Sequence, residues 1–339
     1  MTDLSQYTSL RVGGPARKFI EVATEAAIIS AIESAGDSPI LILGAGTNML
    51  VSDDGFDGTV IRISDDHIES EVDACSGATL KIGAGQNWDS FVATSILRGF
   101  AGLETLSGIP GTVGAAPIQN IGAYGHEVCE FITRVRTYDR KNRALKTFTN
   151  AECNFSYRSS LFKAERHRYV ILDVSFQLRI GELTEPITYA ELASELGIAI
   201  GEKATVVKTR TAILELRARK GMLLDPTDHD SWSAGSFFTN PIISATDAAK
   251  LPAGAPQWPQ SDGRVKTSAA WLMEHAGVNK GDSLSGARIS TKHVLALTNS
   301  GGATASDIAS LAQEAREKVK KVFGITLEAE VDLVGLNLQ

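Results

Sequence analysis

Gly108-Ile-Pro-Gly-Thr-Val-Gly-Ala-Ala-Pro-Ile-Gln-Asn-Ile-Gly-Ala-Tyr-Gly125 is a stretch in which glycine, proline and small residues displace the side chains that packing needs. Backbone of this kind is shaped to a ligand. Glycines without a Cβ let main-chain N–H groups approach a phosphate or the edge of a flat ring, and Pro110 and Pro117 reduce the entropy lost in holding the path. A solvated linker is also glycine-rich, but it has no use for the interleaved Ile109, Val113, Ile118, Ile121 and Tyr124. The stretch therefore reads as an ordered ligand-binding loop.

The chain around it has 339 residues, 43% of them hydrophobic, which is enough for two or three compact units each with a core. A net charge of -7 disfavours nucleic acid or an anionic membrane as the main partner. Cys75, Cys129 and Cys153 lack Cys-x-x-Cys spacing and the six histidines contain no His-x-x-x-His pair, so neither a disulfide framework nor a metal site is expected. The N-terminal residues lack the basic and apolar regions of a secretion signal, and no run approaches the roughly 20 apolar residues of a membrane span. The expected setting is the cytoplasm, and with no exposed heptad the expected state is a monomer.

Upstream of the loop, Arg17 to Ala23 reads as a strand. Thr24 then caps a helix burying Ile28, Ile29 and Ile32, which Gly36 closes. The apolar run Pro39 to Leu43 is a buried strand that delivers the chain into Gly44-Ala-Gly-Thr-Asn-Met-Leu-Val-Ser-Asp53. This turn is close to a dinucleotide fingerprint, but Met49 occupies the third glycine position and 51–56 does not open a helix, so the Rossmann reading fails. Its amides, with the Thr47 and Asn48 side chains, suit a pyrophosphate; a plain strand-end turn is the alternative.

Gly58 to Ile63 is a further strand, and a boundary falls near Ser64–Asp66. Beyond it, 78–85 leads into a helix through Trp88, Phe91, Val92, Ser95 and Ile96 that ends at Gly99. Residues 131–138 and 145–148 form a hairpin, 169–178 a strand and 205–219 a helix, which Lys220-Gly-Met-Leu-Leu-Asp-Pro226 breaks. Near the C-terminus Ser306 is expected to cap a helix burying Ile308, Leu311, Ala312, Ala315, Val319 and Val322, with Gly324 as its end. A strand over 325–333 then sets Ile325, Leu327, Ala329, Val331 and Leu333 on one face and Thr326, Glu328, Glu330 and Asp332 on the other.

Polar constellations remain. Asn154-Phe-Ser-Tyr-Arg-Ser-Ser160 carries Arg158, whose planar fork suits a carboxylate or phosphate, unless it is an exposed arginine in a capped loop. Gly235-Ser-Phe-Phe-Thr-Asn-Pro241 sets Ser236 among aromatics as a hydroxyl proton donor or as an incidental serine of a core strand. No Gly-x-Ser-x-Gly elbow surrounds it, which disfavours hydrolase chemistry. Glu330 is either a site residue or a solvated strand residue.

In order and spacing these motifs, together with Leu10-Arg-Val-Gly-Gly-Pro-Ala16, Gly102-Leu-Glu104 and Leu327-Glu-Ala-Glu-Val331, resemble the UDP-N-acetylenolpyruvoylglucosamine reductases. These are flavoenzymes that complete UDP-N-acetylmuramate in bacterial peptidoglycan precursor synthesis. The resemblance runs through most of the chain and implies an α+β fold. A two-part FAD-binding fold of the vanillyl-alcohol oxidase (PCMH) type would span 1–66 and 67–219. A C-terminal α+β substrate-binding domain would span 220–339, with the strand 325–333 bringing Glu330 to the active site.

The same resemblance implies FAD held by Gly44, Ala45, Gly46, Thr47, Asn48, Leu50, Gly108, Ile109, Pro110, Gly111, Gly114, Ala115, Gln119, Asn120, Gly122, Ala123, Tyr124 and Arg219. NADPH would reduce the flavin and depart before UDP-N-acetylglucosamine enolpyruvate enters. Arg158 and Glu330 match the positions that stabilise the negative charge created by hydride addition, and Ser236 matches the proton donor to the carbon alpha to the carboxylate. For Glu330 this requires a protonated carboxyl, favoured by burial. Ile187-Thr-Tyr-Ala-Glu-Leu192 resembles the tyrosine loop of one subtype, which makes Tyr189 a substrate contact, with Asn240. Many members have Lys-Leu-Pro-Asp-Pro where this chain has Met222-Leu-Leu-Asp-Pro226, so Lys220 or Arg219 is the candidate replacement for the missing lysine.

Two rival readings are a flavin oxidoreductase of the same cofactor fold that oxidises an alcohol or sugar, and a UDP-sugar-binding protein without catalysis. The first is disfavoured by Arg158, Ser236 and Glu330 together. The second leaves the glycine loop without a purpose.

Overall fold

A computed structural model of the chain describes residues 1–73 and 77–338, so that Cys75 lies outside the described residues. Its contacts group the chain into two units. One contains Met1–Thr2, Ala16–Ala45 and Asp57–Arg219; the other contains Asp3–Pro15, Gly46–Phe56 and Lys220–Gln339. Segments 3–15 and 46–56, which lie within the first FAD-binding part on sequence grounds, thus cluster with the C-terminal region.

In the first unit, Pro15–Val22 leads into helix α1, Glu25–Ser34, where Thr24 accepts the Ala27 N–H as the N-cap. Ile28 and Ile32 of α1 are buried and Ile29 is half-buried. Ile40–Leu43 pairs in parallel with Phe56–Ile63, the arrangement that needs a crossover connection. A larger antiparallel sheet follows, in the order Ala144–Thr149, Ile132–Asp139, Tyr169–Ile180, Gly77–Gly83 and Ile68–Asp73. Helix α2, Trp88–Leu97, is capped by Asn87 and buries Trp88, Phe91, Val92 and Ile96 in one cluster with Leu80, Val174 and Phe176. Later in the unit come helices α3, Ala190–Leu196, and α4, Val206–Arg219. They share a small core of Leu192, Ala193, Ile213 and Leu216.

The second unit is built on an antiparallel sheet in the order Ser233–Ser236, Ala296–Asn299, Ala287–Ile289 and Ser283–Leu284. Helices α5, Ala269–His275, and α6, Ala305–Phe323, share its core: Leu272 and Met273 of α5 and Ile308, Leu311, Ala312, Ala315 and Val319 of α6 are buried with Ile289 and Leu297. The cap of α6 differs from the sequence reading. Thr304, not Ser306, is the N-cap, in a reciprocal capping box with Asp307. Ser306 instead donates its N–H and hydroxyl to Asp53, which also accepts the Ala305 N–H. Val322, expected in the core, is 54% exposed although it keeps the azimuth of the buried Leu311 and Ala315; it lies in the last turn of the helix, which ends at Phe323.

The expected strand over 325–333 is also shorter. Only Asp332–Val334 forms a ladder, parallel to Met49–Val51, while Ala329 makes a single bridge to Phe238. The alternation survives without the ladder: Ile325, Leu327 and Val331 are buried, Glu328 is exposed and Glu330 is half-buried.

The Leu10-Arg-Val-Gly-Gly-Pro-Ala16 motif is explained by close approach. Leu10 and Val12 are buried, and a Cβ at Gly14 would overlap the Asp53 carbonyl oxygen. Among the described residues no helix is long and apolar enough to cross a membrane.

Candidate active site

The 108–125 stretch is a packed series of turns. Its backbone is tied to the start of α2: the Trp88 N–H donates to Gly111 O at 3.1 Å, the Val113 N–H to Gln86 O at 2.9 Å and the Gly114 N–H to Ala84 O at 2.9 Å. A Cβ on Gly114 would lie 2.5 Å from the Ala84 Cβ, so this glycine is required by the approach of two backbones. The stretch closes with a small hairpin of Gly122–Ala123 on His126–Glu127.

Asn120 is fully buried. Its amide donates to Glu127 Oε2 at 2.7 Å and Ser156 O at 3.1 Å, and its Oδ1 accepts the Cys129 N–H at 3.1 Å. Its side chain therefore serves the loop.

Arg158 lies against the same segment. Its Nη2 donates to Gly122 O at 2.8 Å, its Nη1 reaches Asn120 O at 3.4 Å, and its guanidinium sits 5.3 Å from the Tyr157 ring centroid. Its backbone is left-handed at φ 51°, and the Lys163 ammonium donates to its carbonyl at 2.9 Å. These carbonyl partners orient the fork, whose planar donors suit a carboxylate or phosphate.

The donor chemistry fits a pyrophosphate. In the first unit, the backbone N–H groups of Ala45, Ile109 and Gly111 have no protein acceptor among the described residues; in the second unit the same holds for Gly46. Gly108 and Gly111 have φ of 71° and 137°, a backbone that L side chains resist. A Cβ on Gly44 would come within 2.6 Å of Thr112 Oγ1, and one on Gly46 would overlap the Tyr7 carbonyl oxygen. Ile109 is half-buried, Pro110 and Ala115 are exposed, Gln119 and Ala123 are half-buried, and Leu50 is fully buried in the second core.

In the second unit Ser236 ends the strand Ser233–Ser236, opposite Ala296, and is half-buried. The chain then pairs with the C-terminal segment: the Glu330 N–H donates to Phe237 O at 2.8 Å and the Thr239 N–H to Glu328 O at 3.0 Å. Asn48 joins them, its Nδ2 donating to Glu330 O at 3.2 Å while its carbonyl accepts the Asp332 N–H at 2.9 Å. Ser236, Glu330 and Asn48, distant in sequence, are thus neighbours in this unit.

Tyr124 meets Tyr189 edge-on, with ring centroids 5.5 Å apart, and burial pushes the Tyr124 hydroxyl up to about 12. Tyr189, 43% exposed, occupies the N-cap position of α3. Arg219 is paired with Glu195. Lys220 and Met222 are half-buried where α4 ends. The Asn240 Oδ1 accepts the Ala269 N–H at 2.9 Å at the start of α5.

Three residues of the site region escape sequence reading. Asp89 accepts the Gly108 N–H, Arg210 grips Asp89, and Arg217 donates to Gly108 O. The signal was present for one of them: Arg217 follows Ile213 by four residues and Leu216 by one, so it falls on the buried face of α4, where an arginine needs a reason. Cys129 and Cys153 are free thiols.

The chain is similar to known proteins over nearly its whole length. Residues 16–147 match the model of an FAD binding domain, and residues 225–334 match that of the UDP-N-acetylenolpyruvoylglucosamine reductase C-terminal domain. The UDP-N-acetylenolpyruvoylglucosamine reductase of Cutibacterium acnes is 50% identical over 340 residues, covering 99% of this chain and 90% of that protein. That of Thermobifida fusca is 48% identical over 349 residues, covering 99% and 97%. The crystal structure of UDP-N-acetylenolpyruvylglucosamine reductase from Thermus caldophilus superposes with a TM-score of 0.67 at 26% identity, covering 98% of this chain and 97% of that one.

Proposed function

This chain belongs to the UDP-N-acetylenolpyruvoylglucosamine reductase family, and from that premise we propose which of its residues carry the reaction and in what roles. The protein is an FAD-dependent oxidoreductase of peptidoglycan precursor synthesis that reduces the enolpyruvyl ether of UDP-N-acetylglucosamine to UDP-N-acetylmuramate. Bound FAD supplies the hydride chemistry, with NADPH as the source of electrons. The two segments 1–66 and 67–219 serve the cofactor and 220–339 serves the substrate.

The N–H groups of Ala45, Ile109 and Gly111 supply donors for the pyrophosphate, supported by their lack of protein acceptors among the described residues. The rest of 44–48 and 108–125 shapes the cofactor's bed, and Arg219 closes it at the end of α4.

Hydride addition to the vinyl terminus of the substrate leaves negative charge on the alpha carbon and its carboxylate. Arg158 offsets that charge with a guanidinium already oriented by the Gly122 and Asn120 carbonyls. Glu330 stabilises it by donating a hydrogen bond, for which it must hold its proton. Ser236 delivers a proton to the alpha carbon; a serine hydroxyl is a weak acid, so the basicity of the aci-carboxylate drives this transfer. The observation that carries the assignment is the Glu330 N–H to Phe237 O bond, which supports joint action of Ser236 and Glu330. Tyr189, Lys220 and the Asn240 amide contact the substrate.

We read the protein as a cytoplasmic monomer, where its nucleotide-linked substrate and NADPH are made. Purified protein should be yellow, its flavin should bleach under NADPH alone, and colour should return on adding the enolpyruvyl UDP-sugar. Protein that binds no flavin even after FAD is supplied overturns the reading. A dimer in sedimentation overturns only the monomer.

A further inference from the structure

Gly108 opens the glycine stretch, and both of its backbone polar groups are taken by charged side chains. Its N–H donates to Asp89 Oδ1 at 2.6 Å and its carbonyl accepts from Arg217 Nε at 3.0 Å. Asp89, in the first turn of α2, is gripped in turn by Arg210 of α4, Nη1 to Oδ1 at 2.6 Å and Nη2 to Oδ2 at 2.8 Å. Arg210 and Arg217 are seven residues apart, two turns along one helix, and so present to the same side.

Arg217 is only 9% exposed. A guanidinium desolvated to that degree is costly, and burial pulls its pKa down. Its charge also acts on the Tyr124 hydroxyl near the other end of the stretch. One face of α4 therefore reaches the beginning of the 108–125 path and influences its end. A tight turn at a glycine needs no such apparatus, since glycine adopts φ 71° without help.

We infer, resting on the assignment of 108–125 to FAD, that Asp89, Arg210 and Arg217 are positioning residues that clamp Gly108 and so fix the cofactor-binding path. The clamp sets the directions in which the Ile109 and Gly111 N–H groups leave the backbone. It thereby tunes both the affinity for FAD and the surroundings of the bound flavin.

The test uses the full-length protein stripped of flavin, as wild type, Asp89→Asn, Arg217→Met and Arg217→Lys. FAD is titrated by quenching of its fluorescence, the visible spectrum of the bound flavin is recorded, and thermal unfolding of each apoprotein serves as control. Asp89→Asn and Arg217→Met should raise the Kd for FAD about tenfold or more, as expected for losing one charge-assisted hydrogen bond. The fine structure of the visible band should flatten. Arg217→Lys should recover part of both, because it keeps the charge and a donor but not the planar fork. Variants that match wild type in Kd and spectrum overturn the clamp while the cofactor assignment stands. So do variants that lose affinity only in proportion to apoprotein unfolded at the titration temperature, with a wild-type spectrum in the bound fraction. A wild type that binds no FAD overturns the cofactor assignment itself. If Asp89→Asn does not fold, the contrast between Arg217→Met and Arg217→Lys decides alone.

Discussion

Glu328 and Glu330 are indistinguishable by pattern, two acids on the same side of an extended run. Their surroundings separate them. Glu328 is exposed and offers its carbonyl to Thr239, whereas Glu330 is half-buried, with its N–H on Phe237 and its carbonyl on Asn48. Glu330→Gln should slow reoxidation of reduced flavin by the enolpyruvyl UDP-sugar about 100-fold, and Glu328→Gln should stay within about twofold of wild type, as measured by stopped-flow absorbance. Equal losses in the two variants would remove the distinction. Arg158 and Ser236 drew attention through the hydroxyls and the guanidinium of their motifs, and each kept a structural alternative, an exposed loop arginine and a core-strand serine. Asp89 drew none, since a carboxylate in the first turn of a helix is the ordinary complement of its dipole.

At the scale of elements, periodicity located most helices and strands, because Ile28 and Ile32 of α1 or Trp88, Phe91, Val92 and Ile96 of α2 declare a buried face locally. It did not reveal which partners an extended segment finds. Residues 325–331 alternate like a strand, yet their hydrogen bonds are isolated and the ladder begins at Asp332. The glycine stretch was readable as ordered, but its backbone partners at Ala84, Gln86 and Trp88, and Arg217 of α4 on Gly108 O, were not.

The contact of Asp89 with Gly108 carries a pH signature. Burial pushes the Asp89 carboxyl up, but the hydrogen bonds from Arg210 and from the Gly108 N–H outweigh it, so the net shift is downward. A carboxyl lowered in the folded state contributes stability that is complete above its unfolded value of about 3.9 and is lost as pH falls through its lower folded value. The difference in urea midpoint between wild type and Asp89→Asn should therefore hold steady from neutral pH to about 5 and shrink below about 4. A difference that widens on acidification would contradict the direction of the shift.

The contacts of the chain group into two units, each with a large core, where the sequence reading gives two or three. What local patterns could not convey is that 3–15 and 46–56 belong with the C-terminal unit, because the contacts are long-range: Leu10, Val12 and Leu50 enter the second core, Met49–Val51 pairs with Asp332–Val334, and Asp53 accepts from the start of α6. Gly14→Ala should cost about 2–4 kcal/mol in chemical denaturation of the second unit, the range for a steric conflict that only backbone movement relieves. A cost under about 0.5 kcal/mol, the scale of a neutral surface change, would show that the approach to Asp53 is looser than described. Of the three residues we assign to the chemistry, Arg158 falls on the first unit and Ser236 and Glu330 on the second, and we assign the last two to the step after the flavin has been reduced. Stopped-flow measurement of the two half-reactions in Ser236→Ala tests this most directly. Flavin reduction by NADPH should stay within about twofold of wild type while reoxidation by the enolpyruvyl UDP-sugar falls at least about 100-fold. Equal loss in both half-reactions, or undiminished reoxidation, would contradict it.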